Sequence, residues 1–478
     1  MNNIKEIIKQ SGIKFGTSGA RGLVSDFTSQ TCTAFTLSFL DAMKKSFDFK
    51  RVAVAMDNRP SSPDMAATVC ASIEAYGFEV DFYGVLPTPA LALQSMSDKI
   101  PSIMITGSHI LFDRNGIKFY TPDGEISKDD EKDILNNTNS IIDTNSFSLE
   151  VNTKASQNYL NRYSNYFGKD CLNNLNIGIY EHSSAGRDLY AELFTFLGAQ
   201  VTCLGRSDEF VPIDTEAVSQ EDKQRGKDWS EEYKFDAIFS TDGDGDRPLI
   251  SDENGNWLRG DIVGLLTSQI LNIEALAIPV SCNTAIEKSN FFKEVKRTKI
   301  GSPYVIEAFK DLETYKSFAG FEANGGFLLG STLKQNENIL DALPTRDALL
   351  PFIVLLSHTV KENTSLSKLV ENLPQRFTSS DRIQNFPREN SMKLLEKTVS
   401  KPNELLKTIG LEDIRVVDIN QIDGLRLTLD NKVIIHLRPS GNAPELRCYA
   451  ETDSQEKSDN LVKQVLSSIS KIALKGED

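Results

Sequence analysis

Hydrophobic and polar positions recur along the chain in one order: strand, helix, glycine, strand. Arg51 to Asp57 is a short apolar run that predicts a buried strand. A polar loop and a helix over about Ser62 to Tyr76 follow, then Gly77-Phe78-Glu79-Val80-Asp81-Phe82-Tyr83-Gly84. The order returns with a strand over Leu175 to Tyr180, a helix over about Gly186 to Leu197, and Gly198-Ala199-Gln200-Val201-Thr202-Cys203-Leu204-Gly205. Both units end in G-x-x-V-x-x-x-G. Strand, helix and returning strand make a βαβ unit with a parallel sheet. Ala275 to Cys282, a helical stretch and Arg297 to Ile300 read as a third, more degraded copy. Such a duplication places function in the loops after strands.

The last hundred residues follow another pattern. Gly424 to Asp430 and Lys432 to Leu437 alternate about Asn431 as a hairpin does. A loop from Arg438 to Pro444 and a short strand to Glu451 come next. Leu461, Val465, Ile469 and Ile472 fall at helical spacing, which predicts an amphipathic helix over about Ser454 to Leu474 with its apolar side in a core. The polar stretch from about Lys361 to Ser380 reads as a boundary.

At 478 residues the chain exceeds one core, and three or four domains are expected. The longest strongly apolar run, Ala348 to Leu356, is too short to span a bilayer. The polar start, Met1 to Gln10, does not resemble a signal peptide. Six cysteines lie scattered with no C-x-x-C pair, as in a cytoplasmic protein with reduced thiols. A formal charge of −15 argues against nucleic acid as partner. If the ligand is a phosphate ester, an acidic protein must gather its cations locally. The candidates are Arg21, Arg114, Lys118, Arg247, Arg438 and Arg447, all read as lying in glycine-rich or turn-rich loops.

Two segments carry most of the chemistry. Thr106-Gly107-Ser108-His109-Ile110-Leu111-Phe112-Asp113-Arg114-Asn115-Gly116-Ile117-Lys118 puts a serine at the end of the apolar run Ser102 to Ile105. A serine hydroxyl is a useful nucleophile only where a neighbour activates it, and a strand-end serine is otherwise a turn former. Strand neighbours point to opposite sides, so His109 is expected to face a ligand rather than Ser108. The chain has no G-x-S-x-G elbow, which disfavours an α/β-hydrolase. In Asp242-Gly243-Asp244-Gly245-Asp246-Arg247 three acids alternate with glycines after a predicted strand, Phe235 to Ser240. Three converging carboxylates need a cation, and carboxylates with phosphate oxygens suit Mg²⁺. A calcium EF-hand loop is the nearest rival, with Glu253 at its twelfth position, but Arg247 stands where that loop needs glycine. Serine, acids and cations together suggest phosphoryl transfer.

Three further loops bear candidate ligand groups. Arg438-Pro439-Ser440-Gly441-Asn442-Ala443-Pro444 joins an arginine fork to a glycine that lets backbone N–H groups approach an anion, although such a segment is also an ordinary turn. Gly320-Phe321-Glu322-Ala323-Asn324-Gly325-Gly326-Phe327 reads as a sugar-reading loop or a plain hairpin. Phe15-Gly16-Thr17-Ser18-Gly19-Ala20-Arg21-Gly22 is glycine-rich without being a P-loop.

Taken in order, these five segments resemble the α-D-phosphohexomutase superfamily, from Phe15 to Glu451. The resemblance implies three similar mixed α/β domains with βαβ units and a smaller C-terminal α+β domain around a central cleft. The expected boundaries are 1–150 with a phosphoserine loop, 151–252 with a metal loop, 253–370 with a sugar loop and 371–478 with a phosphate loop. It implies Ser108 as the phosphoserine, and Asp242, Asp244 and Asp246 as Mg²⁺ ligands together with the serine phosphate. Arg21, His109, Lys118 and Arg247 match positions around the phosphoserine, with Lys118 or His109 as general base. Glu322 and Asn324 fall in the sugar loop. Arg438, Ser440, Gly441, Asn442 and Arg447 fall with the C-terminal phosphate site. Gly107, Ile110 and Leu111 depart from the usual T-A-S-H-N-P, and Asn442 and Ala443 from S-G-T-E-P.

The implied activity interconverts hexose 1-phosphate and hexose 6-phosphate through a phosphoserine and a hexose 1,6-bisphosphate. Mannose phosphate is the first expectation; phosphoglucomutase and phosphoglucosamine mutase activities are the alternatives. A serine and metal phosphatase and a non-catalytic sugar-phosphate sensor are the rivals of other classes. Hexose phosphate and bisphosphate are the expected partners, with no nucleic acid and no membrane, in a monomer or dimer.

Overall fold

The computed structural model describes residues 3–16, 19–335, 337–440 and 444–475. Its first three sheets repeat one arrangement. In the first, Arg51–Met56 lies between Glu79–Val85 and Ser102–Ile105, parallel to both, and Arg114–Thr121 then pairs antiparallel with Ser102–Ile105. In the second, Asn176–Tyr180 lies parallel between Gln200–Leu204 and Ala237–Thr241, with Pro248–Ile250 antiparallel on the latter. In the third, Ala275–Pro279 lies parallel between Glu294–Thr298 and Phe318–Phe321, with Phe327–Leu329 antiparallel on the latter. The periodicity of the sequence therefore marked real repeats. It overestimated one helix: regular helix in the second unit spans only Tyr190–Phe196, and the helical stretch of the third is the short Ala285–Lys288.

The C-terminal sheet is antiparallel throughout, in the order Phe377–Ile383, Leu446–Thr452, Ile434–Pro439, Leu425–Leu429, Val416–Asn420. The expected hairpin about Asn431 is its centre. The helix Gln455–Lys475 covers it, and Leu461, Val465 and Ile469 are buried as their spacing predicted; the side chain of Ile472 lies outside the described residues. The polar stretch read as a boundary, Lys361 to Ser380, holds a helix, Leu366–Glu371, and the start of the strand from Phe377. That strand is half exposed, so its polar composition concealed it.

Apolar packing divides the molecule unevenly. One cluster runs through the first three sheets, from Ala53 and Met104 through Ile177 and Phe239 to Leu276, Phe321 and Phe352. The apolar run Ala348 to Leu356 lies in the helix Leu349–Glu362 within that cluster. The C-terminal sheet and its helix enclose a separate one, with Leu427, Leu437, Cys448 and Val465. Among the described residues no helix is long and apolar enough to cross a membrane.

Candidate active site

The repeated arrangement places three of the candidate loops at the same topological point. Each joins the third parallel strand of its sheet to the antiparallel strand beyond it: 106–113, 242–247 and 322–326. Loops beyond the carboxyl ends of parallel strands are where α/β sheets carry their ligands.

In the first loop Ser108 is fully buried with φ +56°. Its N–H donates to Thr106 Oγ1 at 2.8 Å, and that hydroxyl donates to Asp57 Oδ2 at 2.7 Å. Arg59 organises the rest. Its guanidinium donates to the carbonyls of Ser108, Ile110, Leu111 and Arg114 at 2.6–2.9 Å and pairs through Nε with Asp57 at 3.1 Å. A Cβ at Gly107 would meet Arg59 Cζ at 2.7 Å, so the departure from alanine there matches a guanidinium packed beneath the loop. The left-handed turn also corrects the expectation for His109. Ser108 is not in a strand, so alternation does not apply, and Ser108 Oγ lies 3.4 Å from His109 Nδ1.

The second loop meets the first directly. Ser108 Oγ donates to Asp242 Oδ2 at 2.7 Å. A Cβ at Gly243 would lie 2.7 Å from the Ser108 carbonyl oxygen, so this approach needs glycine. Asp242, Asp244 and Asp246 are buried, and one carboxylate oxygen from each lies within 4.8 Å of the others. Lys118 Nζ donates to Asp244 Oδ2 at 2.5 Å and to Asp246 Oδ2 at 2.8 Å. Thr88 Oγ1 donates to the same Asp244 oxygen at 2.7 Å. Burial, then repulsion from Asp244 and Asp246, pushes the Asp242 carboxyl well up. Burial also opposes charge on Asp244, but Lys118 and the Thr88 hydroxyl reverse that and hold it low. Oδ1 of Asp244 and Oδ1 of Asp246 are buried with no hydrogen-bond partner among the described residues. Converging carboxylates with unused oxygens fit a divalent cation.

The cations surround this pair of loops. Arg247 Nη1 lies 2.9 Å from His109 Nδ1; a guanidinium only donates, so Nδ1 is the unprotonated ring nitrogen. Burial, then Arg247 and Arg21, lowers the His109 pKa well below its ordinary value. Burial and Arg247 also bring Arg21 down to about 10. Arg21 and Lys118 lie on strands, Ala20–Leu23 and Arg114–Thr121, and Arg438 and Arg447 on two more, so these cations are not in loops as expected. Arg114 is exposed.

The third loop is a hairpin turn and also part of the site. Arg346, on the strand Leu343–Asp347, donates to Asp246 Oδ2 through Nε at 3.0 Å and to Glu322 Oε2 through Nη1 at 3.1 Å. One buried guanidinium thus joins the acid loop to Glu322. The side chain of Asn324 accepts from Gly326 N at 3.0 Å and its carbonyl accepts from Thr215 Oγ1 at 2.7 Å, so in this state it shapes the turn.

In the C-terminal sheet, Arg438 and Arg447 are cross-strand partners, and Arg447 is also opposite Arg382. Directly opposed like charges destabilise a sheet, so a row of three arginines on one face suits an anion. Arg447 is near enough to His109 to depress its pKa further. Arg438 Nε is paired with Asp423 at 2.9 Å. Ser440 is buried at the end of this strand and its N–H donates to Glu445 O at 2.8 Å; Gly441 and Asn442 lie outside the described residues.

The loops and their order find counterparts in known proteins. Models of the phosphoglucomutase/phosphomannomutase family match residues 12–145 as alpha/beta/alpha domain I, 260–377 as domain III and 384–468 as the C-terminal domain. A phosphomannomutase of Salmonella muenchen is 57% identical over 468 residues, 98% of each chain. The chain belongs to the phosphoglucomutase/phosphomannomutase family. A phosphomannomutase of Sinorhizobium fredii is 41% identical across 95% of this chain and 98% of its own. The fold of a family member from Burkholderia thailandensis superposes with a TM-score of 0.70 at 18% identity, covering 98% of each chain.

Reading the family's motifs missed Arg59, Thr88 and Arg346. Arg59 and Thr88 follow strands of the first sheet, where a repeat of βαβ units directs attention. Arg346 lies inside a strand, with no local signal to set it apart.

Proposed function

We propose that the protein is a phosphomannomutase acting through phospho-Ser108, with mannose 1,6-bisphosphate as the intermediate. The observation that carries this reading is the hydrogen bond from Ser108 Oγ into the buried acid trio, inside a ring of Lys118, Arg247, Arg21 and Arg346. The 57% identity to a phosphomannomutase supports mannose as the hexose. The four larger sheets fall one each within 1–150, 151–252, 253–370 and 371–478, which supports four domains with those limits.

Asp242, Asp244 and Asp246, with the phosphate on Ser108, would hold Mg²⁺. The ion supplies charge compensation for the group in transfer. In the forward step the phosphorus bond to Ser108 Oγ breaks while a bond forms to the free sugar hydroxyl, whose proton passes to a base. After the bisphosphate turns round, the other phosphoryl group returns to Ser108 and a proton returns to the sugar oxygen. His109 is poorly suited as the base, because its Nδ1 already accepts from Arg247 and its pKa is depressed. Lys118, whose Nζ donates to Asp244 and Asp246 here, is the remaining candidate proton carrier and would have to leave these carboxylates to act as the base. Arg438 and Arg447 would grip the phosphate that is not being transferred, which a simple phosphatase does not require. A hexose phosphate substrate fits a cytoplasmic enzyme.

Mannose, glucose, glucosamine and N-acetylglucosamine 1-phosphates, each with its bisphosphate, test this. Mannose 1-phosphate should give the highest kcat/KM, and intact mass should show one phosphate that Ser108→Ala removes. A phosphate mapped elsewhere would overturn the mechanism; a better hexose would overturn the substrate.

A further inference from the structure

Asp423 lies at the turn that enters the strand Leu425–Leu429, and no motif or resemblance singles it out. Its Oδ2 accepts from two places at once. Arg438 Nε donates to it at 2.9 Å, and the backbone N–H of Ile300, in the third unit, donates at 3.0 Å. Both ionic partners are largely buried, with side-chain exposures of 15% and 20%.

The turn is held tightly against the strand that carries Arg438. His436 Nε2 lies 2.6 Å from the carbonyl of Asp423, so that nitrogen bears the proton and donates. Gly424 has φ +81°, and a Cβ there would meet the Leu437 carbonyl oxygen at 2.4 Å and Arg438 Cα at 3.0 Å. Asp423 therefore has little freedom to move away from Arg438.

A guanidinium has an inner edge through Nε and an outer end made of two Nη groups. With Nε occupied by Asp423, the outer end remains to meet an anion. We infer that Asp423 is a positioning residue for substrate phosphate: it fixes the guanidinium of Arg438 end-on and joins it to the 299–301 segment of the third unit. This rests on the reading that Arg438 grips the nontransferring phosphate. The arginine would be set for binding only while the C-terminal sheet is docked on that segment.

Calorimetric titration of mannose 1-phosphate onto the dephosphorylated full-length enzyme tests it, with wild type, Asp423→Ala, Asp423→Asn, Arg438→Ala and the two double variants. Arg438→Ala should raise Kd about ten- to a hundred-fold, the range of a charge-assisted contact. Asp423→Ala should raise it about tenfold and Asp423→Asn, whose amide oxygen still accepts, about threefold. Both increments should vanish in the Arg438→Ala background. If Arg438→Ala binds normally, the phosphate-grip reading fails. If Arg438→Ala weakens binding but the Asp423 increments are absent, or persist without Arg438, the positioning role is overturned and Asp423 is structural. Should Asp423→Ala fail to fold, the Asp423→Asn cycle decides alone.

Discussion

Arg59 shows how much one side chain can determine. It is fully buried, paired with Asp57, and it ties down the carbonyl of Ser108 and those of Ile110, Leu111 and Arg114 after it. Removing one member of a buried pair leaves the other charge uncompensated, at a cost of about 3–5 kcal/mol. Arg59→Met is therefore expected to lower stability by that order in urea unfolding. It should also lower kcat more than KM, because the serine loop loses its anchor while the C-terminal phosphate site is untouched. Equal kcat in a folded Arg59→Met protein would show that the loop holds itself. His182 makes a different case. It is buried in the loop after the strand Asn176–Tyr180, its Nε2 lies 2.9 Å from Thr241 O, and burial brings its pKa down to about 4. The folded protein keeps this ring neutral, whereas the unfolded chain protonates it below about pH 6.5. Between pH 6.5 and 4 the unfolded state binds more protons, so this contribution to stability falls as pH falls, by roughly 3 kcal/mol in all. Above pH 6.5 it is constant. His182→Gln should accordingly be less stable than wild type at pH 7, with the gap narrowing towards pH 4.5. Carboxylates titrate in both proteins and largely cancel in the difference. A gap that stays constant with pH would refute the neutral buried state.

At the scale of elements, function follows from repeating one unit and varying one loop. Strand, helix and glycine could be read from the sequence because a buried parallel strand is a continuous apolar run, as in Val52 to Ala55. The same pattern placed the serine, acid and sugar loops after strands, and Ser108 and the three acids do come together. Side-chain direction in the serine loop was not legible, because a left-handed residue at Ser108 leaves no trace in hydrophobic periodicity. Arg346 was not legible either: its partners, Asp246 and Glu322, are 100 and 24 residues away. The contact between the serine and acid loops belongs to two sheets and depends on Gly243. Gly243→Ala would press a methyl group against the Ser108 carbonyl at 2.7 Å and the Phe210 ring at 2.8 Å. Neither neighbour yields easily, since Arg59 holds that carbonyl and stacks on that ring at 4.0 Å. Overpacking of this kind costs typically 1–3 kcal/mol. The variant should melt lower and lose at least about tenfold in kcat, as a shift of the order of 1 Å in a catalytic group does. Wild-type kcat would mean that the loops need not approach as closely as they do here.

Across the whole molecule the division of the core sets what can move. The first three sheets share one apolar cluster, whereas the C-terminal sheet keeps its own. Several of the contacts joining that sheet to the third unit are polar: Glu451 accepts from Thr284 N at 3.0 Å and from the Thr284 hydroxyl, and Asn283 Nδ2 donates to Arg376 O at 2.8 Å. Glu451 also pairs with Arg376 at 2.6 Å, and both side chains are at most 7% exposed. Polar contacts are specific in geometry but reform after a rotation more readily than an interdigitated apolar core. A bisphosphate that must turn round needs a phosphate site able to withdraw and return, and the arginine row lies on the unit with the separate core. Glu451→Ala is expected to loosen this joint without touching either cluster. Removing one partner of a buried pair costs about 3–5 kcal/mol, here borne by the C-terminal unit. Differential scanning calorimetry should then show an early transition split from the main one. Hydrogen exchange should assign it to residues 377–471, with the first three sheets protected as in wild type. KM for mannose 1-phosphate should rise, because Arg438 and Arg447 are less often in place, while Ser108 should still be found phosphorylated. A single transition at a uniformly lower temperature would mean that the C-terminal sheet unfolds together with the first three as one unit. The arginine row would then reach the cleft by local motion of its loop, not by rotation of its sheet.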